Sequence, residues 1–249
     1  MQKLALLLAL IPASLATPIL AQERFRASFG IAGGSFEFDE SGASPRRDDA
    51  GAGLARIEVE GFARRGFGAG IRLEALRSDD DLFQGVTGSR VQATQSHLFA
   101  HVGYQIREHR FRMPMRFGVR VENLNLDEEF SNFTYAQTDY TSIGPYFEIE
   151  PEVTLVHRGR LRLAAFGRFG IGGGGTVIEI DGDAREWDSS TAWAGIEVGL
   201  RLRYGRVEFQ ANYIGRWTSM DRSDPEGGAV IPAYDAGYDG LFFGFGIVF

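Results

Sequence analysis

The chain contains no cysteine, so it has neither a disulfide framework nor a thiolate metal site, which suits an exported protein that folds without oxidation. Lysine is almost missing as well: Lys3 is the only one, and every other basic side chain is arginine. The formal net charge of -7 argues against a nucleic-acid partner. Beyond the first twenty or so residues no run of about 18 apolar residues occurs, which excludes an inner-membrane protein built from helices. Histidine is limited to four positions.

What is present is patterned. Residues 1–21 read as a secretory signal: a basic start at Lys3, an apolar run from Leu4 to Ile11, then small residues at Ser14, Ala16 and Ala21. Cleavage after Ala16 and cleavage after Ala21 fit equally, and the apolar run is too short to span a bilayer as a helix. Residues 22–249 form the expected mature domain. Glycine is abundant, at 33 residues, and large apolar side chains recur at every second position. Phe25, Ala27, Phe29 and Ile31 form one such series; Leu98, Ala100, Val102, Tyr104 and Ile106 another; Phe111 to Val121 a third. Spacing by two puts each series on one face of a strand.

The end of the chain, Tyr238 to Phe249, alternates Leu241, Phe243, Phe245, Ile247 and Phe249 with small residues. It resembles the closing strand of a bacterial outer-membrane β-barrel, in which a terminal aromatic such as Phe249 is the signal read by the assembly machinery. About ten strands can be counted, joined alternately by tight turns and longer polar loops. The expected fold is therefore all-β: an up-and-down antiparallel transmembrane β-barrel of about ten strands, with short periplasmic turns and long extracellular loops. The short turns are placed near 64–66, 107–110, 157–160 and 204–206. The long loops are placed near 39–52, 77–93, 123–139, 172–189 and 218–237. Gly205-Arg206 suits a two-residue hairpin and Arg64-Arg65-Gly66 a three-residue one. Closing those hairpins sets Arg56 against Glu74, Glu58 against Arg72 and Arg203 against Glu208, all on the inward face. Pro114, Pro145 and Pro151 predict ladder irregularities, and the parity change after Gly33-Gly34 predicts a bulge.

The inward positions carry the candidate site. They include Arg56, Glu58, Arg72 and Glu74; Arg112, Arg116, Arg120 and Glu122; Glu148, Glu150 and Glu152; Arg162 and Arg168; and Glu197, Arg201, Arg203 and Glu208. Two functions suit an Arg/Glu-lined lumen. One is a lattice of buried ion pairs that closes and holds a structural barrel. The other is a charged constriction that sorts small solutes in a porin-like channel.

His97 and His101 also point inward, and the expected register sets them against Arg120 and Arg116, leaving no carboxylate to orient a general base. His109 and His157 fall in the expected periplasmic turns. An omptin-like rim protease would need His97 to meet Asp79, Asp80 or Asp81 at the top, and a lipid-modifying hydrolase would need paired Ser and His. Neither pattern is visible, so no catalytic residue, cofactor or resident metal is expected. Acidic stretches at Asp79–Asp81, Asp127–Glu129 and 179–188 are oxygen donors of the kind that bridge Ca²⁺ or Mg²⁺ to lipopolysaccharide, without the spacing of a dedicated metal loop. Phe130, Phe133, Tyr135, Tyr140, Trp187, Trp217 and Tyr238 suit interfacial girdles or adhesive contacts on a surface-binding barrel.

Ser142-Ile-Gly-Pro145, Leu161 to Gly167, Ala211-Asn-Tyr213 with Trp217, and Asp239-Gly-Leu-Phe242 together resemble the Legionella-type major outer-membrane protein family over roughly residues 140–249. That resemblance implies an outer-membrane barrel of porin-like or surface-antigen character and carries over no catalytic residue. The partners expected of such a barrel are outer-membrane lipid, lipopolysaccharide, the assembly machinery that reads Phe249 and, if the lumen is open, small solutes.

Overall fold

The computed structural model describes residues 25–41, 46–63, 66–79, 82, 90–129 and 135–249. The signal segment, Arg64-Arg65, Asp80, Asp81, Phe130 and Phe133 lie outside the described residues. The strands are β1 (Phe25–Glu40), β2 (Arg46–Phe62), β3 (Gly66–Ser78), β4 (Arg90–Glu108), β5 (Phe111–Glu129), β6 (Tyr135–Ile149), β7 (Glu152–Arg158), β8 (Leu161–Ile180), β9 (Glu186–Tyr204), β10 (Val207–Met220) and β11 (Tyr234–Val248). Chain neighbours pair antiparallel, except that β6 and β7 each pair with β5 and β8 and not with one another; β11 returns to pair with β1, so the sheet closes on itself. β6 and β7 together form one wall. Met115 pairs with Ile149 and Arg112 with Glu152 in a single register, broken only at Glu150-Pro151. The barrel therefore has ten walls, with both ends of the described chain at the short-turn end.

The prolines act unequally. Pro151 separates β6 from β7, although the Gly167 amide still donates to the Pro151 carbonyl at 2.9 Å. Pro145 leaves a gap in the ladder to β8, while Pro114 stays in an unshifted register with Gln105. A register shift between Thr154 and Val156 marks a bulge close to the break.

Three expectations need correction. Strands continue through most of the stretches read as long loops, because the alternation persists there with its polarity reversed; β1 runs to Glu40, β2 begins at Arg46 and β9 at Glu186. No bulge follows Gly33-Gly34: the register against β2 and β11 is continuous, and Phe36 and Phe38 face the interior. The β4–β5 hairpin turns on two residues, His109 and Arg110, with His109 at φ 42°, so Glu108 pairs with Phe111. That slides the pairing by two: His97 faces Glu122, not Arg120, and His101 faces Gly118, not Arg116. His157 likewise lies in β7, since the next turn is Gly159-Arg160.

Outward side chains define a band of membrane dimensions. On β5 the outward series is apolar from Phe111 to Val121, then changes to Asn123, Asn125 and Asp127. Ten residue steps at 3.4 Å, tilted as barrel strands are, give about 25 Å, the height of a lipid-facing belt. Similar changes occur from Leu98 to Ser96 on β4, from Ile143 to Thr141 on β6 and from Leu241 to Asp239 on β11. β8, at 20 residues, runs well past that belt.

Candidate functional site

The site is the barrel interior, and it has two storeys. Strand parity aims alternate side chains inward along every wall, the odd-numbered ones on β4 and β9 and the even-numbered ones elsewhere. At the level of the apolar belt these are mostly charged. Above the belt they become apolar.

The lower storey is a three-dimensional ion-pair lattice. Arg116, wholly buried, donates to Glu60 at 2.8 Å, to Glu148 at 3.0 Å and to Glu150 at 3.2 Å. Arg168 reaches Glu150 at 2.5 Å on its own side and Glu58 at 3.1 Å across the barrel. Arg72 crosses to Glu148 at 2.6 Å. Higher up, Arg56 and Arg216 each bridge Glu74 and Glu197, with contacts of 2.8, 2.9, 3.0 and 2.6 Å, forming a closed ring of alternating charge from four walls. Toward the short turns, Arg201 pairs with Glu150 at 3.0 Å and with Glu152, and Arg162 with Glu152 at 2.6 Å. Charge-assisted bonds of this kind offset the cost of removing so many ions from water only because nearly every carboxylate has two or more cationic partners. Neutral donors close the top of the lattice: Gln95 at 3.0 Å and Thr218 at 2.8 Å donate to Glu122, and Asn212 at 3.3 Å to Glu197.

All seventeen charged positions named from the sequence face the interior. The pairs Arg56–Glu74 and Glu58–Arg72 sit in register as expected, and so do Arg203 and Glu208. Arg203 instead donates to the Gly205 carbonyl at 2.8 Å. Arg26, Glu60 and Arg216 also belong to the lattice. Their even numbering on strands whose odd positions are lipid-facing is the signal that marks them.

His97 is embedded in this network. Its ring nitrogens lie 3.4 Å from Glu74 and 3.3 Å from Glu122, with Arg120 at 3.3 Å, so the expectation that it lacks a carboxylate is overturned by the two-residue slide of the hairpin. His101 stacks on Phe99 at 5.0 Å. Asp79 lies five residues beyond Glu74 along the chain, about 17 Å further out, so it does not meet His97.

The upper storey is a hydrophobic core. Phe36, Leu82, Leu124, Ile178 and Ile214 have no exposed surface, and Phe38, Leu54, Leu76, Trp187, Met220, Tyr234 and Tyr238 are nearly as buried. Phe38 stacks on Tyr234 at 5.2 Å, and Tyr140 meets Tyr234 edge-on at 4.9 Å. Phe242 joins the storeys, its ring 4.6 Å beneath the Arg56 guanidinium. Glycine makes room where rings are widest: a Cβ at Gly170 would sit 2.0 Å from the Tyr146 hydroxyl. Among the described residues no group of histidine and carboxylate side chains has metal-site geometry.

No protein-family model matches the chain, and no curated protein matches it in sequence. Its architecture does have relatives among solved structures. The outer-membrane protease OmpT from Escherichia coli superposes with a TM-score of 0.54 at 9% identity, over 92% of this chain and 98% of that one. The fold is that of an outer-membrane β-barrel. The β domain of the Bordetella autotransporter BrkA gives a TM-score of 0.43 at 11% identity, over 91% and 98% of the two chains. The translocator domain of the autotransporter NalP from Neisseria meningitidis gives 0.39 at 9%, over 98% and 96%.

Proposed function

We propose that this chain is a closed, non-conducting barrel of the bacterial outer membrane, exported by a cleaved signal at residues 1–21. In this reading the lumen is structural and the working surfaces are the extracellular rim and wall. The observation that carries it is the complete burial of Arg116, Glu150 and Glu197 at mid-lumen, with Leu124, Ile178 and Ile214 equally inaccessible above them. A porin-like channel needs a water-wide path past its charged lining, and side chains that no water molecule touches do not line one. Of the two lumen functions considered from the sequence, the geometry favours the lattice over the filter.

The rest of the proposal follows from that choice. The short-turn end faces the periplasm, and Phe249 beside Phe25, ring centres 5.9 Å apart, is presented outward for the assembly machinery. The acidic outer wall, with Glu37, Asp235 and Asp239 among its outward residues, stands against the sugar and phosphate region of lipopolysaccharide. Kinship with the Legionella-type proteins belongs to the same proposal, since a surface barrel is what that resemblance implies. A proteolytic role like that in OmpT's name is not part of it. All four histidines are placed, and His97 and His101 are locked in the lumen while His109 and His157 sit at the opposite end from the rim.

Planar-bilayer recording of the refolded protein tests the reading. Folded barrel, verified by heat-modifiable migration, should give a silent membrane. Discrete, reproducible conductance steps from the same preparation would overturn it.

A further inference from the structure

At the short-turn end the lattice opens into a small recess of about 30 Å³. Five arginines, Arg26, Arg112, Arg162, Arg201 and Arg203, line it. Only three glutamates do. Glu208 is shared between Arg26 at 3.5 Å and Arg201 at 3.3 Å, Glu60 takes Arg26 at 2.9 Å, and Glu152 takes Arg201 and Arg162. Arg203 makes no ion pair among the described residues. The lining itself carries two more arginines than glutamates, although Arg26 and Arg201 also pair behind it with Glu58 at 3.2 Å and Glu150 at 3.0 Å.

A second observation concerns hydrogen-bond donors. Arg26 Nε and Arg201 Nη2 have no hydrogen-bond acceptor, and both residues are at least nine-tenths buried; Arg201 Nε lies 3.3 Å from Glu208. The Arg201 guanidinium lies over the Phe166 ring, 4.3 Å from its centre. Buried guanidinium donors without acceptors are costly, and the other two in the lattice, Arg72 Nη1 and Arg120 Nε, lie outside the lining of this recess. Convergent, unsatisfied N–H donors with an excess of positive charge are what a tetrahedral oxyanion requires, because each of its oxygens accepts two or three such bonds.

We infer that this vestibule is a binding site for a small oxyanion of the phosphate class, entering from the short-turn end and completing the lower edge of the lattice. The inference depends on the fold and the recess alone, and stands whether or not the barrel conducts. The anion would bridge Arg201 and Arg26 inside and be guarded by Arg203 at the mouth, tying β1 to β9.

Calorimetric titration of inorganic phosphate into the detergent-folded full chain, at ionic strength fixed with sodium chloride, provides the test. A saturable one-site isotherm is expected. Arg203→Gln should weaken it about tenfold, the loss of one charge-assisted contact. Glu208→Gln, which removes a competing carboxylate, should tighten it. Arg203 carries no lattice pair, so its variant remains informative even if replacing Arg201 prevents folding. Absence of phosphate binding beyond the chloride background, or binding that Arg203→Gln leaves unchanged, would overturn the proposal and leave water as the only occupant of the recess.

Discussion

The two storeys of this barrel are built on the same strands with the same parity, yet their sidedness is opposite. On β4, Val102 faces outward and is 49% exposed, while His97 and His101 are buried. Eight residues further out, Thr94 faces outward, and Ala93 and Val91 are buried. On β5 the same strand turns Phe117 to the outside with Arg116 inside, then Asn123 to the outside with Leu124 inside. The pleat does not change; the surrounding solvent does. Where lipid is outside, the hydrophobic effect gives no reason to bury apolar side chains inside the barrel, and ion pairs fill it. Where water is outside, the barrel is an ordinary soluble β-structure with an apolar centre.

This comparison can be broken at several points. The largest effect is expected in the lattice. Glu197→Ala would strand Arg56, Arg168 and Arg216 around one missing carboxylate, and should lower unfolding stability in urea by about 3–5 kcal/mol. In the upper storey Leu124→Ala should cost about 2–5 kcal/mol by opening a cavity, whereas the adjacent outward change Asn123→Ala should stay within about 0.5 kcal/mol. A pair on one strand sharpens the contrast between solvents. Val102→Arg places a charge in the lipid belt and should cost about 2–4 kcal/mol, while Thr94→Arg on the same face should be near neutral. Similar penalties at both positions would show that the membrane belt is wrongly placed.

The smallest effect lies in the loop between β8 and β9. There a hydrogen bond from the Arg185 side chain holds the Asp183 carboxyl down to about 2. A lowered carboxyl contributes stability above its unfolded value of about 3.8 and loses it as pH falls through about 2. Because the pair is open to water the contribution is small, so Asp183→Asn should lower the neutral-pH urea midpoint only slightly and remove the matching loss from the acid limb of the curve.

Much of the lower storey was legible in the sequence, because lipid demands apolar side chains at alternate positions and so marks the other face as interior. The cross-strand partners Arg56 and Glu74 followed from a hairpin whose turn could be located. The upper storey was not legible in the same way. Phe36 and Phe38 restart the apolar series on the opposite parity, and alternation alone does not distinguish a bulge from a strand that has left the membrane. The His97 environment was missed for a local reason: no glycine marks the His109-Arg110 turn, and His109 itself takes the positive φ. An error of two residues there keeps every side chain on its correct face while exchanging its cross-strand partner, which is why the lattice survived the misreading and the histidine's neighbours did not.

The absence of native cysteine makes the decisive measurement direct. Val102→Cys and Thr94→Cys, each carrying an environment-sensitive fluorophore, would be reconstituted into vesicles and exposed to acyl-chain-brominated lipid and to aqueous iodide. The two-storey account predicts that the label at 102 is quenched by the brominated lipid and spared by iodide, and that the label at 94 shows the reverse. Lipid quenching of equal strength at both positions would contradict it, because the apolar core around Leu124 would then lie inside the membrane with no water outside to drive its burial.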